Sequence, residues 1–154
     1  MEEFNIYIES SLRGPAIRAA AGMWLIEHTK ADGNIETKDG ILYREKIKET
    51  ELVLQCMINA FFILNRTGIK SGSVRVFTEC THVLNTINNH WLPMWEKNGW
   101  TNAKGKPAAN KELWQQLSAL MRNYAVSVTD EGHSYREIYM REAIRKELER
   151  NNNV

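Results

Sequence analysis

Apolar side chains at Phe4, Ile6 and Ile8 alternate with polar or amphipathic neighbours, and this period of two predicts a strand ending near Glu9. Gly14 and Pro15 punctuate the turn from Ser10 to Pro15. Ala19 to Thr29 (AAAGMWLIEHT) reads as a second strand. Asp32-Gly33 is a hairpin signal, and a return strand begins at Ile35. A further turn signal at Asp39-Gly40 predicts an interruption before the strand resumes over Ile41 to Lys48. Thr50 to Asn65 is apolar almost all round, from Leu52 through Leu64, and such a helix is buried on most sides. Gly68 and Gly72 mark its exit. Val74 to Glu79 predicts a fourth strand, Thr81 to His90 a short helix, and Leu92-Pro93 through Lys97 another. Thr101 to Ala109 is a polar loop, after which Asn110 offers an N-cap for a helix running to Tyr124. Val126 to Val128 predicts a fifth strand. Ser134 and Glu137 have capping-box spacing and open a last helix to about Arg150.

Three successive strands followed by helix-separated strands imply an α/β fold: a five-stranded mixed sheet with helices packed on its faces. The 154 residues suit one domain, residues 1–150, with the polar tail 151–154 disordered. The net charge is +1, so there is no global basic field, and nucleic-acid affinity has to come from local clusters of Lys and Arg. Cys56 and Cys80 belong to no CxxC pair, which argues against a zinc site and against a disulfide framework. MEEFNIYIES has neither a basic start nor a long apolar run, so no secretory leader is expected, and no stretch reaches membrane-spanning length. The expectation is a cytoplasmic monomer with no membrane partner.

Three carboxylates fall where chemistry collects. Glu9 ends the first strand, Glu79 ends the fourth, and Glu51 sits in the first turn of the apolar helix. If the first and fourth strands are neighbours, Glu9 and Glu79 converge, and Glu51 can point at the same spot. Convergent carboxylates repel one another unless cations fill the space between them. Hard oxygen ligands suit Mg²⁺ or Mn²⁺, and two such ions can run an in-line phosphodiester hydrolysis. Read singly, Glu51 equally fits a residue complementing the helix dipole, and Glu9 and Glu79 equally fit solvated strand ends. The segment Trp91 to Leu117 interleaves Trp91, Trp95, Trp100 and Trp114 with Lys97, Lys104, Lys106 and Lys111, a pattern that can grip a sugar-phosphate backbone. Trp114, beside Leu113, Leu117 and Leu120, fits core filler better. Gly132-His133 follows the last strand; a flexible histidine there could shuttle a proton, and a surface histidine before a helix cap is the plainer alternative.

Taken together, these motifs resemble ribonuclease HI from Asn5 to Leu148. WLPMWEKNGWTNAKGKPAANKELWQQL resembles the family's basic handle, with W-x3-W, then GW, KP and N-x2-LWQ-x-L at the same spacing. IYIESS resembles the opening D-G-S strand, ETELVLQ the M-E-L helix start, FTECTHV the T-D-S-x-x-V motif, and EGH the G-H loop. The resemblance implies a ribonuclease H-like fold with a handle insertion, and hydrolysis of the RNA strand of an RNA–DNA hybrid with two Mg²⁺ or Mn²⁺ ions. It places Glu9, Glu51 and Glu79 on the first three metal-binding carboxylates and His133 on the proton-transfer histidine. The fourth carboxylate falls on Glu137, or on Glu142 in an alternative register.

The departures from the family pattern cluster around that site. Glu9 and Glu79 stand where the family has Asp, and one added methylene displaces a carboxylate by roughly 1.5 Å on a fixed backbone. Ser10 replaces a Gly, Ile47 and Lys48 replace paired Asn, Thr81 replaces a Gln, and Glu131 replaces a Lys. These positions make the contacts by which the family recognises the hybrid, including the 2′-hydroxyl. Two readings follow: a divergent nuclease with an all-Glu metal site, or a non-cutting module that holds nucleic acid or a protein partner.

Overall fold

The computed structural model describes residues 2–152. Five strands form one sheet in the order β3-β2-β1-β4-β5: β1 (Glu3–Ser10), β2 (Arg18–Thr29), β3 (Ile35–Ile47), β4 (Gly72–Phe77) and β5 (Tyr124–Thr129). β1 runs antiparallel to β2 and parallel to β4, and β5 is parallel to β4, so the sheet is mixed. The helices are α1 (Glu49–Asn65), α2 (Thr81–Asn88), α3 (Trp91–Lys97), α4 (Lys111–Met121) and α5 (Arg141–Asn152), the last entered through a π-helical turn, Arg136–Met140.

Alternation along β1 sends its side chains to two different cores. Ile6 and Ile8 pack with Leu54, Met57 and Phe61 of α1, Val76 of β4, and Trp114 and Leu117 of α4. Tyr7 faces the other way, into a smaller cluster with Met23, Leu25, Phe77, Met140 and Ile144 that α5 covers. Cys56 and Cys80 are buried free thiols; burial pushes the Cys56 thiol up to about 12 and raises that of Cys80 as well.

Several local expectations are corrected. The Asp39-Gly40 turn does not exist: β3 passes straight through, with Gly40 opposite Trp24 of β2. The glycine makes room for the indole, because a Cβ on Gly40 would lie 2.4 Å from Trp24 Cζ2. Asn110 precedes α4 at a positive φ of 58° and makes no side-chain cap bond. Ser134 and Glu137 form no capping box either, because the helical hydrogen bonding starts after Tyr135 with a π turn. α5 continues to Asn152, two residues into the segment expected to be disordered, while residues 153 and 154 lie outside the described residues.

Candidate active site

The parallel register of β1 and β4 pairs Tyr7 with Phe77. Two residues further along each chain come Glu9, still inside β1 and opposite Met23 of β2, and Glu79, two residues past the end of β4. Glu79 lies past the end of β4, in a turn where Thr78 N–H donates to Thr129 C=O (3.0 Å) and Cys80 N–H to Thr78 Oγ1 (3.2 Å). By the same period of two, Glu9 belongs to the Tyr7 face of the sheet, the face that α5 covers. Its side chain is only 5% exposed.

The cations around these carboxylates are arginines. Arg136 is paired with both, its Nε 3.7 Å from Glu9 Oε1 and its Nη2 against Glu79 Oε1. Arg141 Nε lies 3.6 Å from the same Glu9 oxygen, and Arg13, from the β1–β2 loop, pairs with Glu79. The backbone explains why two residues five apart reach one oxygen. Arg141 N–H donates to Arg136 C=O, the i→i+5 bond of a π turn, which stacks the two positions along the helix. The loop that carries Arg13 is tied to the start of α1, where Gly14 N–H donates to Glu49 Oε1 (3.3 Å).

His133 completes the pocket, with its side chain packed against the sheet. Its side chain is 5% exposed, its ring packs on Tyr7 (centroids 4.4 Å apart) and against Phe77 (5.9 Å), and Nε2 lies 3.2 Å from Glu9 Oε2. Its Nδ1, like Arg136 Nε, is buried without a hydrogen-bond partner among the described residues. A cleft of about 500 Å³ opens beside it, lined by Gly132, His133, Ser134, Arg136, Glu137 and Ile138.

Behind the histidine lies a polar cluster that the sequence did not announce. Glu27 of β2 accepts hydrogen bonds from Tyr7 (2.8 Å), Tyr135 (2.7 Å) and Asn5 (3.0 Å). Burial pushes the Glu27 carboxyl up, but the bonds from Asn5, Tyr135 and Tyr7 outweigh it and hold the group below the ordinary carboxylate value. Burial and the bond to Glu27 raise the Tyr7 phenol, and Tyr135's own bond to Glu27 raises that of Tyr135.

The remaining expected site residues do not join Glu9 and Glu79. Glu51 lies in the first turn of α1 and forms no metal-holding group of three with Glu9 and Glu79 among the described residues. Glu137 is 80% exposed and pairs at 3.9 Å with Arg141. Glu142 bonds Arg145 on an exposed stretch of α5. Among the described residues, no group of three His, Cys, Asp or Glu side chains comes close enough to share a metal ion. As the side chains stand, two carboxylates converge rather than four, and a guanidinium spans them, so the donor set does not fit a pair of divalent ions. The sequence reading missed Arg13, Arg136 and Arg141; the only linear hint was that two arginines flank the proposed fourth carboxylate in R-E-I-Y-M-R.

In the handle, the tryptophans pack on one another in tilted and edge-to-face pairs. Trp95 lies at ring-centroid distances of 6.5 Å from Trp91, 6.5 Å from Trp100 and 6.0 Å from Trp114. Trp114 is fully buried and the other three are partly exposed. Lys97, Lys104, Lys106 and Lys111 are exposed in the same segment.

Comparison with known proteins fits this architecture. The sequence profile of the RNase H family matches residues 1–136. A curated protein of Clostridium botulinum named Ribonuclease H is 28% identical over 138 residues, spanning 89% of this chain and 88% of that protein. The crystal structure of LC9-RNase H1, described as a type 1 RNase H with the type 2 active-site motif, superposes with a TM-score of 0.73 at 18% identity, covering 94% of this chain and 71% of that one. A foamy viral protease-reverse transcriptase solved with an RNA/DNA hybrid gives a TM-score of 0.59 at 19% identity, covering 83% of this chain and 17% of that one.

Proposed function

Because the chain belongs to the ribonuclease H family, we propose that it engages RNA–DNA hybrids as a ribonuclease H whose cutting of the RNA strand is curtailed by the arginines in its carboxylate pocket. The observation that carries this reading is that Arg136 reaches both Glu9 and Glu79 while His133 contacts Glu9, in a chain similar to relatives named Ribonuclease H. The exposed handle lysines supply the local positive charge that a duplex backbone requires, which the net charge of +1 does not. Tryptophans packed on one another lie in the same segment as those lysines. Within the pocket, His133 and Glu9 are in hydrogen-bond contact, an arrangement able to hold or pass a proton at His133 Nε2. The donor set does not fit Mg²⁺ or Mn²⁺ as it stands, and a carboxylate displaced by about 1 Å costs on the order of a hundredfold in rate.

A second reading, hybrid binding with no cutting, is favoured by one specific observation: Arg136 pairs with both carboxylates at once. One experiment separates the two. A labelled RNA–DNA hybrid is incubated with the chain in Mg²⁺ and separately in Mn²⁺, beside Glu79→Gln, and binding is followed by gel shift. Slow cleavage of the RNA strand that Glu79→Gln abolishes supports the curtailed nuclease. Binding that weakens with salt, with no cleavage in either metal, supports the second reading. Absence of both binding and cleavage overturns both.

A further inference from the structure

Acidic pockets normally reach electroneutrality by taking up cations from solution. This pocket has a built-in alternative. Arg136 is 21% exposed and contacts Glu9 and Glu79, Arg141 contacts Glu9, and Arg13 contacts Glu79. Three guanidiniums thus face two carboxylates, with Glu137 at the rim beside Arg141. A pocket so balanced offers a divalent ion little Coulombic gain, and the ion would first have to displace a bidentate-capable partner. Arg13 and Arg141 are about half exposed, so they can reach outward as well as inward. A phosphodiester is the anion that guanidiniums match best on a duplex. The adjoining cleft of about 500 Å³ gives it access. His133 and Arg136 line that cleft, and their Nδ1 and Nε atoms have no hydrogen-bond partner among the described residues.

We propose that Arg13, Arg136 and Arg141 neutralise Glu9 and Glu79 in place of divalent cations, so that the pocket docks a hybrid's phosphodiester backbone without Mg²⁺ or Mn²⁺. The inference rests on the hybrid-binding reading above for its ligand, but its ionic half is tested on the free protein. Titration of the native chain with Mn²⁺, followed by calorimetry and thermal melting, gives no saturable uptake. Arg136→Gln, which shortens the side chain and removes its charge, gains Mn²⁺ uptake that a further Glu79→Gln abolishes. Hybrid affinity at fixed ionic strength is the same within about twofold in EDTA and in Mg²⁺, and drops about tenfold in Arg13→Ala combined with Arg141→Ala. Saturable Mn²⁺ uptake by the native chain, lost in Glu79→Gln, overturns the inference even if Arg136→Gln fails to fold. Hybrid binding that requires Mg²⁺ overturns it equally. A chain that takes up no ion and binds no hybrid overturns the ligand while leaving the neutralised pocket standing, so the two failures are distinguishable.

Discussion

The Tyr135 hydroxyl donates to the Glu27 carboxylate at 2.7 Å, tying the segment just before the π turn to the middle of the sheet. Glu27 also holds Tyr7, on whose ring His133 rests. Through these contacts, a residue that touches neither Glu9 nor Glu79 fixes where His133 and Arg136 stand. Glu27→Gln therefore weakens three hydrogen bonds to a carboxylate and costs about 2–3 kcal/mol, while Tyr135→Phe, which removes one, costs about 1 kcal/mol. Urea unfolding of the three proteins checks the order, and equal stabilities would show that the cluster is not cooperative.

Acid stability follows from the direction of the Glu27 shift. Its carboxyl lies lower in the folded chain than the ordinary value of about 4.3, so the folded state favours the ionised form. That contribution is complete above about pH 4.3 and is lost as pH falls through the lower, folded value. The native chain and Glu27→Gln should thus differ most near neutrality and converge in strong acid. Melting temperatures of both, taken from pH 7 down to pH 3, test this; a gap that widens on acidification would contradict it.

Gly40 is required by its neighbour rather than by its own backbone. A methyl group there would meet the Trp24 ring at 2.4 Å, and Trp24 is only 6% exposed. Gly40→Ala is expected to destabilise the fold by about 1–3 kcal/mol, the usual cost of overpacking. Chemical denaturation measures the loss, and a changed tryptophan emission in the folded state would report the displaced ring.

The handle separates charge from packing. Replacing Lys97, Lys104 and Lys106 with Ala should lower hybrid affinity and flatten the plot of log affinity against log salt by about 0.9 for each phosphate no longer neutralised, with little change in melting temperature. Trp114→Ala should instead cost about 3–5 kcal/mol of stability, since the residue is fully buried between α2, α3 and the core. An unchanged salt slope in the lysine variant would show that the duplex docks elsewhere.

The linear pattern carried the architecture a long way. Period-two alternation in β1 and the all-round apolar run of α1 announced the sheet and its main helix, because burial leaves a direct mark on residue type. Asp39-Gly40 misled because a glycine chosen for turning and a glycine chosen to clear Trp24 look identical in one dimension. Asn110 misled for a related reason: an asparagine before a helix can cap it or accept a positive φ, and the letter does not distinguish them. His133 read as mobile or exposed, since nothing local reveals that its ring packs on Tyr7.

By itself, the sequence determined which carboxylates could share a strand-end edge, because register and side-chain alternation are short-range consequences of the backbone. Only the tertiary structure decided what neutralises them. The requirement that cations fill the space between Glu9 and Glu79 is general electrostatics, readable in advance. That these cations are arginines depends on a π turn stacking residues 136 and 141 and on a loop anchored by Glu49. Those are relations between segments far apart in the chain, and charge interacts by distance in space rather than by distance in sequence.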